Sequence, residues 1–115
     1  YKDALMAGRE VICHSKIRLG YGTDFVAVHQ NYESGYEYEA WMNSGMTPFD
    51  ALGAATRVNA GILGLSDRIG TVEAGKFADI AAWRRDLLTD KKALLDCAFV
   101  MKEGKVYETE SCIST

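Results

Sequence analysis

The stretch GMTPFDALGAATRVNAGILGL, residues 45–65, restricts the possible folds of this chain more than any other. Its start is strongly marked. Thr47 is a candidate N-cap, Pro48 stands at the first helical position, and Asp50 at the third. A threonine hydroxyl can accept from an orphan backbone N–H, proline lacks an N–H where none is needed, and an acid suits the positive end of the helix dipole. The arrangement is a capping box with Asp in place of Glu. Beyond it, Phe49 and Leu52 lie on one side of the helix, and Ala51, Ala54, Ala55, Val58 and Ile62 on another. Gly61 and Gly64 mark its end near Leu65. A helix that is apolar around most of its circumference is buried between layers, not laid on a surface.

At 115 residues the chain fits one domain of ordinary size. With 48% hydrophobic and 25% charged residues and a single proline, its composition reads as soluble and globular. No stretch approaches the ~20 apolar residues needed to span a bilayer, and no signal-peptide pattern opens the chain. The expectation is therefore a cytoplasmic protein with no membrane partner. A net charge of −3, with acids and bases interspersed, leaves no basic stripe to neutralise phosphates, which argues against nucleic acid. Cys13, Cys97 and Cys112 are odd in number, far apart and without a C-x-x-C pair, so reduced thiols are expected. The chain opens at Tyr1 inside a helical pattern and without methionine, as it would if sequence upstream were missing or a tag had been removed.

The first half reads as helix-rich and the second as strand-rich. Residues 2–9 form a helix with Ala4, Leu5 and Gly8 on one side, and "VIC", residues 11–13, is a short strand or a helix end. In KIRLGYG, Ile17, Leu19 and Tyr21 alternate with Lys16, Arg18 and Gly20, which is strand periodicity. It stops at Gly22-Thr23-Asp24, where glycine permits a sharp turn. From Ser34 a helix places Tyr38, Trp41 and Met42 on one face, with Gly45 as its stop. After Asp67, RIGTVEAGKFADIAAWRR reads as strand, Gly-Lys turn, strand, and LLTDKKALLD as one or two helical turns. CAFVMKEGKVYETE reads as a hairpin turning at Glu103-Gly104. Three or four short strands make a small sheet whose edges need partners.

Few residues offer chemistry. Asp24 is either a turn residue bonding nearby amides or a carboxylate at the C-terminal end of a strand, where β/α barrels keep their catalytic groups. His14 and His29 are the only histidines. The predicted strand separates His14 from Asp24, so His14 reads as solvated or packed. His29 lies on the loop after Asp24, and such loops either run over the surface or line pockets. With two ligands at best, the chain falls short of the three a catalytic zinc needs. Cys13 beside His14 does not make a nucleophile, no serine sits in a G-x-S-x-G elbow, and no glycine loop has phosphate-binding spacing. Tyr32, Tyr36, Tyr38 and Trp41 form an aromatic cluster that suits helix packing better than base stacking.

Taken in order, GYGTD, YEYEAWMNSGMTPFDALGAAT, AGILGL, IGTVEAGKFADIAAW and FVMKEGKV resemble the C-terminal third of the metal-dependent amidohydrolase superfamily, in particular its imidazolonepropionase and prolidase-like Xaa-amino-acid dipeptidase branch. The resemblance runs from about Ile17 to Tyr107. It implies an α/β plus β fold: the last βα units of a (β/α)8 metallo-hydrolase barrel over residues 1–66, then part of a small composite β-sandwich domain over residues 67–115. It also implies that Asp24 is both a metal ligand and the general base and acid, taking a proton from the attacking water and delivering it to the leaving amine nitrogen. His29 becomes a candidate on the substrate side. Asp79, in GKFADIAAW, takes a structural role outside the active site.

The family's His-x-His pair, its bridging lysine or further carboxylate and its two other barrel histidines find no match here. The resemblance thus implies a fragment of a C–N-bond hydrolase acting on a small amide or dipeptide. A divalent metal, zinc being the expected ion, belongs to the full-length protein and none to this chain alone, which is expected to be inactive. Self-association, or contact with the missing N-terminal part, would cover its apolar sides. The competing expectation is a non-catalytic assembly module or remnant that pairs through its strand edges.

Overall fold

The computed structural model describes residues 2–22 and 35–107. Helix α1 spans Lys2–Cys13, so residues 11–13 are a helix end. None of its residues is buried, and Leu5, Met6, Val11 and Ile12 are all exposed. Helix α2, Tyr36–Asn43, turns Tyr38 fully inward, and Trp41 and Met42 pack on the same cluster with Met46 and Ala51. The expected shared face is there. So is the stop: Gly45 takes a φ of +98° and donates its N–H to the Met42 carbonyl at 3.0 Å.

Helix α3, Pro48–Gly53, begins as its sequence indicates. Thr47 is extended, with φ −70° and ψ 149°, and its hydroxyl oxygen accepts from the Asp50 N–H at 3.2 Å. The Asp50 carboxylate accepts from that same hydroxyl at 2.8 Å, a short reach that suits aspartate. The helix then departs from the expected regular course. Ala54–Val58 forms a π turn before helix α4, Asn59–Ile62. A π turn closes i→i+5 bonds, takes up an extra residue, and so rotates everything that follows it. Within it the Thr56 hydroxyl donates to the Leu52 carbonyl at 2.7 Å, a back-bond that competes with the helix ladder.

Ala51, Ala54 and Ala60 are buried, whereas Phe49, Ile62 and Leu63 are exposed. The described residues therefore cover one side of this helical run and leave the other open. Gly70, with φ +101°, packs against it: a Cβ there would stand 2.7 Å from the Ala60 Cβ.

Two expected strands are corrected. Residues 16–22 join no ladder among the described residues; a strand exists only by pairing, and no described strand lies beside them. Residues 68–76 also form no strand. A local network takes over instead, with the Thr71 hydroxyl donating to Glu73, Lys76 Nζ donating to Thr71 Oγ1 at 2.6 Å, and Lys76 pairing with Glu73 at 2.9 Å. Side-chain bonds of this kind favour turns over ladders.

The sheet has order β1-β2-β3 and is antiparallel throughout, with β1 Ile80–Trp83, β2 Cys97–Lys102 and β3 Lys105–Tyr107. Ile80 faces Met101 and Val100 faces Tyr107. The expected helical turns between β1 and β2 tighten to one 3₁₀ turn, Ala93–Leu95. The hairpin turns at Glu103-Gly104 as expected, both with positive φ.

Asp79 secures that turn. One carboxylate oxygen accepts from Lys102 Nζ at 2.6 Å and the other from the Glu103 N–H at 2.8 Å, while Gly104 N–H donates to the Ala78 carbonyl at 3.1 Å. A left-handed non-glycine residue such as Glu103 costs roughly 1–2 kcal/mol, which these bonds help to offset. The bonds from Lys102 and from Glu103 N–H hold the Asp79 carboxyl below the ordinary aspartate value, and the Asp79 bond holds Lys102 above the ordinary lysine value.

Two outcomes follow. Thr47→Ala removes the cap and should lower unfolding stability by about 1 kcal/mol in a denaturant titration. The Asp79 contribution is fully present above the ordinary aspartate value and is lost as pH falls through its lowered folded value. Acidification through that window should therefore lower the exchange protection of the Glu103 and Gly104 amides, and Asp79→Asn should abolish that pH response. An unchanged response in Asp79→Asn would contradict the clamp.

Candidate active site

The two residues singled out for chemistry, Asp24 and His29, lie outside the described residues. What is defined is the approach to Asp24. Leu19 packs against the Tyr38 cluster, and Tyr21 is held from two directions. On its main chain, the Tyr21 N–H donates to Asn59 Oδ1 at 2.9 Å, and Asn59 Nδ2 donates to the Tyr21 carbonyl at 2.8 Å. On its side chain, the ring meets Trp41 with centroids 5.1 Å apart and planes at 47°. That is an ordinary tilted aromatic contact.

Burial raises the Tyr21 phenol to about 12, and the Glu37 carboxylate and Tyr38 add to the shift. At any physiological pH this phenol is neutral and can donate, but it cannot act as a base. Glu37 is itself engaged, accepting from Trp41 Nε1 at 2.6 Å with Arg9 4.0 Å away. Tyr38 donates its hydroxyl to the Leu87 carbonyl at 2.6 Å, and burial raises its pKa too. These groups build a scaffold around Tyr21 rather than a reacting centre.

The remaining candidates separate. His14 stands exposed just beyond α1, with Nδ1 2.9 Å from the Glu10 carbonyl, as its packed or solvated reading requires. Cys13 is half-buried against the Tyr38 cluster as a free thiol, and Cys97 Sγ lies 3.7 Å from the Phe99 carbonyl. Among the described residues, no group of three His, Cys, Asp or Glu side chains could hold a metal ion. Asp24, the metal ligand that the resemblance implies, is not among them. A cavity of about 250 Å³ opens beside residues 15–19, lined by Cys13, Lys16, Arg18, Asp50 and Arg57 among others. It borders the beginning of the 16–22 segment, away from the end that leads to Asp24. No described helix is long and apolar enough to cross a membrane.

Asn59 is the residue that reading the sequence missed. Its signal was present: a polar amide in an alanine-rich helix interior must find partners if it is not fully solvated. Nothing in the spacing pointed to a main-chain partner 38 residues upstream.

The chain is similar to known proteins over most of its length. Residues 3–109 match the model of the amidohydrolase family. The chain is 42% identical over 62 residues to an imidazolonepropionase of Ralstonia nicotianae, covering 51% of this chain and 15% of that one. It is 51% identical over 39 residues to an imidazolonepropionase of Erwinia tasmaniensis, covering 34% of this chain and 10% of that one. Among solved structures, it superposes on a Xaa-Pro dipeptidase with bound methionine in the active site at a TM-score of 0.83 and 26% identity, over 91% of this chain and 26% of that one. Phenylurea hydrolase B shares the fold at a TM-score of 0.75 and 21% identity, over 89% of this chain and 26% of that one. The chain thus spans about a quarter of the length of these solved relatives. With the family model matching nearly its whole length, this chain belongs to the amidohydrolase family.

Proposed function

We propose that this chain is the C-terminal part of a metal-dependent hydrolase of C–N bonds, acting on a dipeptide or a cyclic amide, with Asp24 as general base and acid. The observation that carries the reading is the family match over residues 3–109, a range that includes the GYGTD stretch and the capped helix after it. In the larger fold, residues 1–66 are the last βα units of the barrel and residues 67–115 part of the small composite β domain. The names of its relatives, imidazolonepropionase and Xaa-Pro dipeptidase, support this substrate class.

The chemistry asked of Asp24 is limited and specific. An amide nitrogen leaves only if it is protonated as its bond to carbon breaks. One carboxylate can accept the proton released by the attacking water and return it to that nitrogen, provided both lie within hydrogen-bond reach. His29, five residues further on, is a candidate for the substrate side of the same site. A divalent metal, zinc being the expected ion, would need ligands from outside the described residues.

A second reading has its own support. Phe49, Ile62 and Leu63 are exposed, and among the described residues β1 and β3 are the edges of the three-stranded sheet. An assembly module that completes itself with another chain would show the same features. The coding sequence upstream separates the two readings: an H-x-H after a predicted strand supports the enzyme, and a stop codon supports the module.

The isolated chain should not hydrolyse dipeptides, should bind zinc well below one ion per chain, and should self-associate in sedimentation. Turnover that tracks this polypeptide through purification, or tight stoichiometric zinc, would overturn the fragment reading. In the full-length hydrolase, Asp24→Asn should lower kcat by roughly 10²–10⁴-fold, the usual contribution of a positioned acid–base group. Full activity in that variant would sink the role of Asp24.

A further inference from the structure

We propose that Asn59 is a positioning residue for Asp24, fixing the main chain at Tyr21 in place of a strand partner; this rests on the reading of Asp24 as the proton carrier. Three observations converge on it. The first is the two-bond pairing: the Asn59 amide accepts from the Tyr21 N–H at 2.9 Å and donates to the Tyr21 carbonyl at 2.8 Å. A side-chain amide carries the donor and the acceptor of a peptide group, so asparagine can offer an extended residue what a neighbouring strand would offer. Aspartate accepts only, and a hydroxyl cannot span both atoms.

The second observation is the space made for it. A Cβ on Gly20 would stand 2.7 Å from Asn59 Oδ1 and 2.8 Å from Ile62 Cδ1. The Ile62 tip could move aside, but the Asn59 oxygen is held by its bond to Tyr21. The residue before the anchor point therefore has to be glycine for helix α4 to come this close.

The third is the π turn. It occupies Ala54–Val58 and ends immediately before Asn59. The extra residue in that turn sets the direction in which Asn59 leaves the helix, and π turns inside helices recur at functional sites. The turn, the amide and the glycine are separate features of the sequence that meet at one peptide.

Tyr21 stands three residues before Asp24 in the sequence. Among the described residues, it is a point shortly before Asp24 in the chain at which one side chain holds the main chain on both its N–H and its carbonyl. Proton transfer by a carboxylate tolerates little displacement, and a misplacement of about 1 Å can cost on the order of 100-fold in rate. Asn59 needs no contact with substrate to matter.

The test uses the metal-loaded full-length hydrolase with Asn59→Ala, Asn59→Asp and Gly20→Ala, and Asp24→Asn as the reference. Asn59→Ala should lower kcat roughly 10- to 100-fold with KM nearly unchanged. Exchange at the Tyr21 amide should speed up roughly 10-fold while the β1 and β2 amides keep their protection. Gly20→Ala should reproduce both effects. In Asn59→Asp the ionised carboxylate lacks the donor, so Tyr21 protection should return as pH falls and the carboxyl regains a proton. If Asp24→Asn is inactive while Asn59→Ala keeps the wild-type kcat, the inference is overturned, and so it is if Tyr21 protection survives in every Asn59 variant. An Asp24→Asn enzyme with full activity removes its premise instead, and the Tyr21 exchange, which does not involve Asp24, tells the two failures apart. If Asn59→Ala fails to fold, Asn59→Asp carries the same comparison.

Discussion

Tyr38 holds the described fold together. Among the described residues it is the one large side chain that is fully buried, and it sits where α2, Met46 and Ala51 meet Leu19 and Leu94. Its hydroxyl donates at 2.6 Å to the Leu87 carbonyl, 49 residues away, and so ties the helical half to the segment between β1 and β2. A phenol left unpaired in that position would cost about 1–3 kcal/mol. The ring fills the core and the hydroxyl fixes the distance, which lets so few buried residues organise both halves.

From that core outward the molecule is one-sided. Small residues on the helical run, Ala51, Ala54 and Ala60, are covered, and the larger Phe49, Ile62 and Leu63 are not. Helix α1 buries none of its residues. These features agree with a chain that spans about a quarter of its solved relatives, whose fold it shares over 91% of its length. In the proposed enzyme the uncovered side would meet the remainder of the fold, and residues 16–22 would gain the neighbours that a strand requires. Until then a single asparagine side chain supplies the pairing at Tyr21.

Local signals were the legible part. The Thr47 cap, the Gly45 stop, the Glu103-Gly104 turn and the inward face of α2 all follow from chemistry contained within a few residues, and each is present. The structural role of Asp79 was also readable through family resemblance, and its bonds to Lys102 and the Glu103 N–H show what that role is. Where the reading failed, the reasons differ from place to place. A strand at 16–22 requires partners that no periodicity can provide. At 68–76, the Thr71, Glu73 and Lys76 side chains satisfy one another and remove the incentive to pair. The π turn leaves no trace in the apolar pattern, because it shifts the register of a helix whose residues are small on several faces.

By itself, then, the sequence determined where α2 stops and α3 starts, which face of α2 is buried, how the last two strands connect, and the family to which the chain belongs. Each of these depends on residues close in the chain, or on an order of motifs that survives without coordinates. Only the tertiary structure decided that Asn59 meets Tyr21, that Gly20 has to lack a side chain for it to do so, and that Tyr38 bridges the two halves. Those contacts join residues 38 and 49 positions apart, and their energy exists only once the intervening chain has folded to bring them together.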